Sequence, residues 1–372
     1  MKQIIAILLL GITLNTTAQS RCGTTAHYTK IEAEFPEYKS ARNTVNTYTK
    51  QWISNYTDKE SNAIITIPVV VHVIWKTNAE NISEAQILSQ ITILNEDYRR
   101  TNSDKTNTPT VWNSIATDTE IEFCLAKTDP QGNLTTGITR TQTTTNSFSL
   151  SNDQMKYTNT GGKDAWPNKD YLNIWVCSLQ SGVLGYATPP SSFIGTYDGV
   201  VINHENFGNI SSSQSAYNLG RTATHEVGHW LNLEHIWGAS GSCGNDQVTD
   251  TPKQEIENYG CPTFPSKANS CNTTNPNGDM FMNYMDYSDD ACMNLFTAGQ
   301  KTRMLAAINL YRKNLLNHNL CHTPTAINHI KQDNKNLIKI IDVLGRTATA
   351  TKNTPLFYIY DNGTVEKKII IE

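Results

Sequence analysis

The chain has 372 residues, enough for one sizeable domain with appended segments or for two domains. Its net charge is −4 and only 17% of its residues are charged, so it lacks a basic footprint and we expect no nucleic-acid partner. Lys2, an apolar run from Ile4 to Leu14 and small residues after it predict a signal peptide over residues 1–18, with a buried helix as the alternative. No later stretch reaches the roughly 20 apolar residues of a membrane helix, so we expect an exported protein without an integral membrane segment. We also expect a monomer.

The chain then alternates between strand-like and helix-like runs. Residues 19–60 are polar and have no clear period, which predicts an extension outside the core. The β-branched run 64–75 predicts a buried strand, and Ser83 with Gln86 predicts the capping box of a helix. We predict further strands over 120–126, 171–179 and 199–204, a loop over 139–151, and helices over 220–235 and after the capping box of Thr297 and Gln300.

Two regions differ from this alternation. Residues 237–289 are rich in Gly, Pro, Asn and Cys and predict irregular structure. Residues 323–372 contain strand-like runs, the last of them folded on the turn Asp361–Gly363, and predict a small all-β tail. The whole pattern indicates an α/β fold with a mixed sheet.

One helix bears the candidate chemistry. His225 and His229 are one turn apart on the same face, the spacing of two zinc ligands, and Glu226 lies beside them to act on a bound water. His235 becomes a third ligand if the chain turns sharply at Asn232, a residue that tolerates the left-handed conformation. The alternative is an amphipathic helix with surface histidines.

The sequence HEVGHWLNLEH resembles the extended zinc signature of the metzincin metalloproteases, and NYMDYS resembles their Met-turn, with Met285 beneath the zinc site. Asn232, Trp237-Gly238 and the cysteine-rich stretch are similar to the pappalysin family, in its bacterial ulilysin-like branch. The resemblance implies a catalytic domain over 61–322, with a mixed, mostly parallel twisted sheet over the active-site helix and an irregular, disulfide-bearing C-terminal subdomain.

The resemblance also implies a secreted zinc-dependent endopeptidase acting on protein or peptide substrates. Glu226 would be the general base, and Tyr287 would hydrogen-bond the tetrahedral intermediate, unless it only packs. Residues 182–188 are the candidate edge strand for an antiparallel substrate. A metal-bearing adhesin with a degenerate site is the alternative class, but it would not need Glu226, and a thermolysin-like protease would not use His235.

Two acids have candidate roles. Asp290, with Asp289 beside it, lies where metzincins form the S1′ pocket, and would favour Arg or Lys after the scissile bond unless it is an ordinary loop acid. Calcium is implied by the family. Asp250 is the candidate calcium ligand, although a Thr-Asp-Thr-Pro turn needs no ion.

Seven of the eight cysteines fall within the region 120–322. The resemblance implies the disulfides Cys243–Cys271 and Cys261–Cys292, although the sequence alone permits three pairings of these four or a second zinc site. Cys124 and Cys177 are predicted as buried thiols or one disulfide, and Cys321 is unassigned.

The eighth cysteine, Cys22, lies between Arg21 and Gly23, a sequence similar to the cysteine switch of metzincin precursors. Its thiolate would be the fourth zinc ligand in a latent zymogen, which makes residues 19–60 a propeptide. A disulfide to Cys321 or a free thiol is the alternative.

The tail, residues 323–372, resembles the C-terminal sorting domain of type IX secretion substrates. That resemblance implies the type IX machinery as a partner and export through the periplasm to the cell surface or medium. The alternative is a small adhesive or capping β-unit.

Overall fold

The computed structural model describes residues 21–56, 63–191, 195, 198–210, 216–238, 243–272, 274–323, 336–361 and 363–370. The predicted signal peptide, residues 1–18, lies outside these ranges. The chain divides into two compact units, Met1–Thr323 and Pro324–Glu372. Within the described ranges, no helix is both long enough and apolar enough to cross a membrane.

Two helices form the N-terminal segment, residues 21–56: α1 spans Thr24–Glu34 and α2 spans Glu37–Asn55. The sequence shows no clear period here and predicts an extension outside the core, so these two helices and their buried side chains were missed. The buried positions of α2 recur as one helical face, but that face includes Arg42 and Thr49 beside Tyr38 and Val45. Because half of it is polar, hydrophobicity does not reveal the period.

The first unit is built on a six-stranded sheet. Its strands are β1 Ile65–Trp75, β2 Ile121–Leu125, β3 Ile138–Gln142, β4 Leu172–Cys177, β5 Gly185–Ala187 and β6 Val200–Asn203. They lie in the order β2-β1-β4-β6-β5, with β3 also paired to β1. All pairs are parallel except β5 with β6, so the predicted mixed, mostly parallel sheet is confirmed. The predicted loop over 139–151 is wrong at its start, where β3 pairs with the second half of β1.

Three helices complete this unit: α3 Glu84–Tyr98, α4 Arg221–Trp230 and α5 Ala298–Tyr311. The predicted capping box of α5 is present, with Thr297 and Gln300 bonding each other's backbone. Helix α3 packs against β2, and α4 packs against β5 and β6 at the edge of the sheet. All ten residues of α4 are buried, so the helix predicted to bear the zinc ligands lies inside the domain.

The irregular region after α4 is cross-linked. Cys243 is bonded to Cys271 and Cys261 to Cys292, the pairing that the resemblance implies. A third disulfide joins Cys124 to Cys321, so the predicted alternatives for these residues, a Cys124–Cys177 bridge or a Cys22–Cys321 bridge, are wrong. Strand β1 separates β2 from β4, and two strands at about 4.8 Å spacing put Cys124 and Cys177 beyond disulfide reach.

The second unit contains three strands, β7 Leu337–Ile341, β8 Leu356–Tyr360 and β9 Val365–Lys368. They form a separate antiparallel sheet in the order β7-β8-β9. The predicted small all-β tail is therefore confirmed in its secondary structure. Asn362, the centre of the predicted hairpin turn, lies outside the described residues.

Candidate active site

Three histidines converge beside the sheet edge. His225 and His229 lie one turn apart on α4, and the chain then turns at Asn232, whose φ is 75°. This left-handed conformation is one that asparagine tolerates better than most residues. The turn brings His235 back towards α4, so that the three Nε2 atoms lie 3.1–3.2 Å from one another.

Backbone carbonyls orient the first two imidazoles. Nδ1 of His225 lies 2.7 Å from the carbonyl oxygen of Tyr284, and Nδ1 of His229 lies 2.8 Å from that of Leu233. A carbonyl can only accept a hydrogen bond, so both Nδ1 atoms carry the proton and both Nε2 atoms present lone pairs. These two Nε2 atoms therefore cannot hydrogen-bond to each other.

This arrangement fits a bound zinc ion. Lone pairs 3.1 Å apart repel unless a cation lies between them, and burial lowers the pKa of all three histidines, to about 4 for His229. Protonation therefore does not supply the positive charge. The ring of His235 is oriented by stacking instead: its centroid lies 4.4 Å from that of Trp237, with an interplanar angle of 9°. Three neutral imidazoles are a typical donor set of catalytic zinc.

Glu226 lies next to the histidines and is completely buried. Its Oε2 accepts a hydrogen bond of 2.8 Å from the hydroxyl of Thr24, and burial raises its pKa to about 8. The edge strand passes close to it, since a Cβ added at Gly185 would lie 3.1 Å from Cγ of Glu226. A carboxylate so placed beside the three histidines and the sheet edge can accept a proton from a nucleophilic water.

The predicted Met-turn lies beneath the histidines. A Cβ added at Gly228 of α4 would lie only 2.6 Å from Sδ of Met285, so the thioether packs directly against the active-site helix. The ring of Tyr287 is 5.1 Å from that of His235 by centroids, and its hydroxyl donates to the carbonyl oxygen of Cys22 at 3.4 Å.

Cys22 lies beside the three histidines. Its Sγ and the ligand nitrogens of the three histidines all lie within 4.8 Å of one another, forming a potential four-ligand metal site. Cys22 forms a parallel bridge with Gly185 of β5, and the backbone N–H of Gly23 donates to the carbonyl of Gly185 at 2.8 Å. A Cβ on Gly23 would approach Leu150 to 3.0 Å, so glycine allows this close passage.

Arg21 extends from Cys22 into a closed pocket. Its Nη2 lies 3.2 Å from Oδ1 of Asp290, its guanidinium also donates to the carbonyl of Ser288, and both charged side chains are fully buried. The ring of Tyr217 covers the guanidinium at 4.9 Å. The other oxygen of Asp290 accepts from the backbone N–H of Leu219 at 2.9 Å. The pocket therefore combines a fixed carboxylate with an aromatic wall.

Asp97 was missed by the sequence analysis. Its Oδ1 accepts from the hydroxyl of Tyr284 at 2.8 Å, and its Oδ2 accepts from Thr224 at the same distance. It thereby joins α3 to the residue before His225 and to the residue whose carbonyl orients His225. The only sequence signal is its position three residues after Leu94, on the apolar face of α3.

Asp250 is not brought together with other candidate metal ligands. Its two oxygens accept from the hydroxyl of Thr297 at 2.7 Å and from the backbone N–H of Gly299 at 2.8 Å, at the start of α5. Across the described residues, the group around Cys22 is the one set of three or more clustered His, Cys, Asp or Glu ligand atoms. The role of Asp250 as a calcium ligand stays a prediction.

Known proteins share this sequence and fold. A family model described as pregnancy-associated plasma protein-A, peptidase family M43, matches residues 156–309. A promirolysin mutant of Tannerella forsythia aligns with a TM-score of 0.71 and 46% identity, covering 80% of this chain and 97% of that one. Mature mirolysin of the same organism, in complex with a cleaved peptide, aligns with a TM-score of 0.64 and 50% identity, covering 69% and 100%. An extracellular metalloprotease of Arthroderma otae is 32% identical over 259 residues, which are 67% of this chain and 79% of that protein.

These matches agree with the donor set around His225. The enzyme is a secreted zinc metalloendopeptidase, a hydrolase that acts on peptide substrates. The chain belongs to the pappalysin family of metzincin metalloproteases.

Proposed function

We propose that His225, His229 and His235 hold the catalytic zinc, that Glu226 is the general base, and that residues 19–60 keep the enzyme latent until they are removed. The observation that supports this most directly is the convergence of the three Nε2 atoms, 3.1–3.2 Å from one another, beside a buried carboxylate. Bound zinc supplies Lewis acidity, which makes water a nucleophile at neutral pH and polarises the scissile carbonyl.

The residues of the chain then move and hold protons. Glu226 accepts the proton of the attacking water and passes it to the leaving amine. Tyr287 donates a hydrogen bond to the oxygen that gains charge during attack, as it now donates to the carbonyl of Cys22. Met285 supports the helix that bears the ligands.

Strand β5 is the proposed binding edge for the substrate. Residues Cys22 and Gly23 already pair with Gly185 of this strand, in parallel. A substrate would pair antiparallel, running opposite to the N-terminal segment. Mirolysin has been solved with a cleaved peptide, which supports peptide cleavage in the same kind of cleft.

The proposed specificity is for Arg or Lys directly after the scissile bond. Arg21 occupies the pocket of Asp290, with a carboxylate at 3.2 Å and an aromatic ring over the guanidinium. A basic side chain of the substrate would use the same partners in the S1′ pocket once Arg21 has left.

Latency is proposed to follow from a cysteine switch. The Cys22 thiolate would fill the fourth zinc position and so exclude the water that hydrolysis needs. Thr24 blocks the general base at the same time, because its hydroxyl hydrogen-bonds Glu226. Removal of residues 19–60 would free both the fourth zinc position and Glu226.

The remaining proposals concern export and ions. We propose a signal peptide over 1–18, a catalytic domain over 61–322, and a type IX sorting domain over 323–372 that routes a monomer out of the cell. The last assignment is supported by the compact unit that Pro324–Glu372 form by themselves, with their own antiparallel sheet. Calcium, with Asp250 as a ligand, is proposed from family resemblance alone.

The decisive experiment compares peptide and casein hydrolysis by the activated wild type and Glu226→Ala, with and without a chelator. Loss of the base should lower kcat by on the order of a thousandfold or more while zinc content stays unchanged. Glu84→Ala, an exposed acid on α3, is the matched control and should retain full activity. Equal activity of Glu226→Ala and wild type would disprove the mechanism.

A further inference from the structure

We infer that Asp153 forms a second acidic subsite, which binds a cationic side chain of the substrate on the N-terminal side of the scissile bond. The inference rests on the proposed function, because it takes β5 as the substrate-binding edge and residues 19–60 as a removable segment. It adds a specificity determinant on the side of the cleft opposite to Asp290.

Asp153 is built into the edge of the cleft. Its Oδ1 accepts a hydrogen bond of 2.6 Å from the hydroxyl of Tyr186, the central residue of β5, and lies 3.1 Å from Nζ of Lys156. Its φ is 52°, in the left-handed region, which aspartate adopts more readily than most residues with a side chain. The two contacts at Oδ1 hold the carboxylate at a fixed place beside β5.

The other carboxylate oxygen is satisfied by the N-terminal segment. Oδ2 of Asp153 lies 2.8 Å from Nε2 of His27 and 3.7 Å from Nζ of Lys30, both on α1. His27 is 1% exposed and its ring lies 4.8 Å from that of Tyr186. Oδ1 thus contacts residues that stay in the mature enzyme, whereas Oδ2 contacts residues of the N-terminal segment that is proposed to be removed.

The direction of the chain assigns the side of the cleft. From Cys22 the segment follows β5, where the N–H of Ala187 donates to the hydroxyl of Thr24 at 2.9 Å, and it then continues into α1 and His27. An antiparallel substrate runs the other way, so the residues that precede its scissile bond lie towards Asp153. The segment therefore has one cation on each side of the metal site, Arg21 in the pocket of Asp290 and Lys30 near Asp153.

Removal of the segment takes His27 and Lys30 away from Oδ2 while Lys156 stays at Oδ1. Although burial alone would raise the pKa of Asp153, the charges of Lys156 and His27 hold it well below its ordinary value. Lys156 remains after activation, so the carboxylate remains anionic. Its exposed oxygen would accept from an ammonium or guanidinium group, and because Lys156 offsets part of the charge, we expect a preference of roughly tenfold, that of one charge-assisted hydrogen bond.

The test uses the activated enzyme and peptides that share Arg after the scissile bond. Lys or norleucine is placed in turn at the second, third and fourth residues before that bond, and kcat/KM is measured for each. At one of these positions, kcat/KM of the wild type should be roughly tenfold higher for the Lys peptide than for the norleucine peptide. In Asp153→Asn the ratio of the two kcat/KM values should be near one. Hydrolysis of the norleucine peptide reports on the proposed function separately, since it does not involve the subsite.

Two outcomes would overturn the inference: no preference at any of the three positions in wild type, or a preference that survives in Asp153→Asn. Because Lys156 loses its partner in that variant, thermal unfolding and zinc content must show that it is folded. If Asp153→Asn is not folded, the activation rates of His27→Leu and His27→Arg precursors test the subsite instead. Both precursors yield the same mature enzyme, so any difference arises from the N-terminal segment. The leucine variant should be activated several-fold faster than the arginine variant, and equal rates would count against the subsite.

Discussion

The hydroxyl of Thr24 donates a hydrogen bond to Oε2 of Glu226 at 2.8 Å. The same hydroxyl accepts from the N–H of Ala187 on the edge strand, at 2.9 Å. One side chain of the N-terminal segment thus hydrogen-bonds both Glu226, the proposed general base, and a backbone N–H of β5, the proposed substrate-binding strand. This contact is distinct from the one between Cys22 and the histidines, so latency is expected to have two parts.

We predict that Cys22→Ala gives a precursor that is active before its segment is removed, but only partly, because Thr24 still covers Glu226. Adding Thr24→Val should raise the precursor's initial rate further, by roughly tenfold, whereas Thr24→Ser keeps the hydroxyl and should not. Initial rates on a short peptide, with gel analysis to exclude processing, measure this. A Cys22→Ala precursor as latent as wild type would contradict the cysteine switch, and equal rates for the valine and serine variants would contradict the role of Thr24.

Asp290 is predicted to set the preference for a basic residue after the scissile bond. Asp290→Asn removes the charge that pairs with Arg21, so the ratio of kcat/KM for Arg against Leu peptides should fall on the order of a hundredfold. The neighbouring Asp289→Asn is the matched control, because no ion pair joins Asp289 to Arg21 among the described contacts. A wild-type preference for Leu would refute the assignment.

The helix and the convergence of the three histidines could be predicted from the sequence because metal chemistry demands a fixed local spacing. His225 and His229 must be one turn apart, and His235 must follow a left-handed turn, so eleven residues determine the constellation. Strands β1 and β4 were predictable because both of their faces are covered, so their residues are mostly apolar, with His72 and Asn173 as buried exceptions.

What could not be predicted depends on contacts between distant residues. Helix α2 buries Arg42 and Thr49 by hydrogen bonds to other segments, which no local period reveals. The Cys124–Cys321 disulfide spans 197 residues. Asp153 looks like an ordinary surface acid in the sequence, and the one signal for Asp97 is its position on the apolar face of α3. Only the fold surrounds the two carboxylates with donors.

The tail should be needed for release and not for catalysis. We predict that deletion of residues 323–372 leaves the protein in the periplasm, while the remaining chain still hydrolyses peptides after activation. The deletion removes a unit with its own antiparallel sheet. Cell fractionation with an antibody against the catalytic domain measures the location, and normal secretion of the truncated chain would refute the sorting role.

Asn232 is predicted to serve latency as well as the turn. Its φ of 75° brings His235 to the zinc ligands, and its carbonyl accepts from Arg303 at 2.6 Å. Its side chain faces α2 instead, where Oδ1 accepts from Arg42 at 3.0 Å and Nδ2 donates to Thr49 at 3.3 Å. Backbone and side chain of one residue therefore have separate tasks.

A glycine at position 232 should keep the backbone turn and remove the side-chain contacts with α2, because glycine adopts the same φ without a side chain. In Asn232→Gly we expect unchanged zinc content but a segment held more weakly by about 2 kcal/mol, roughly thirtyfold, since one charged and one neutral hydrogen bond are lost. Asn232→Asp keeps an acceptor for Arg42 and should stay as latent as wild type. Activation rate and hydrogen exchange of α2 measure the difference between the variants. If the glycine precursor matched the aspartate precursor in both, the side chain of Asn232 would have no part in retaining the segment.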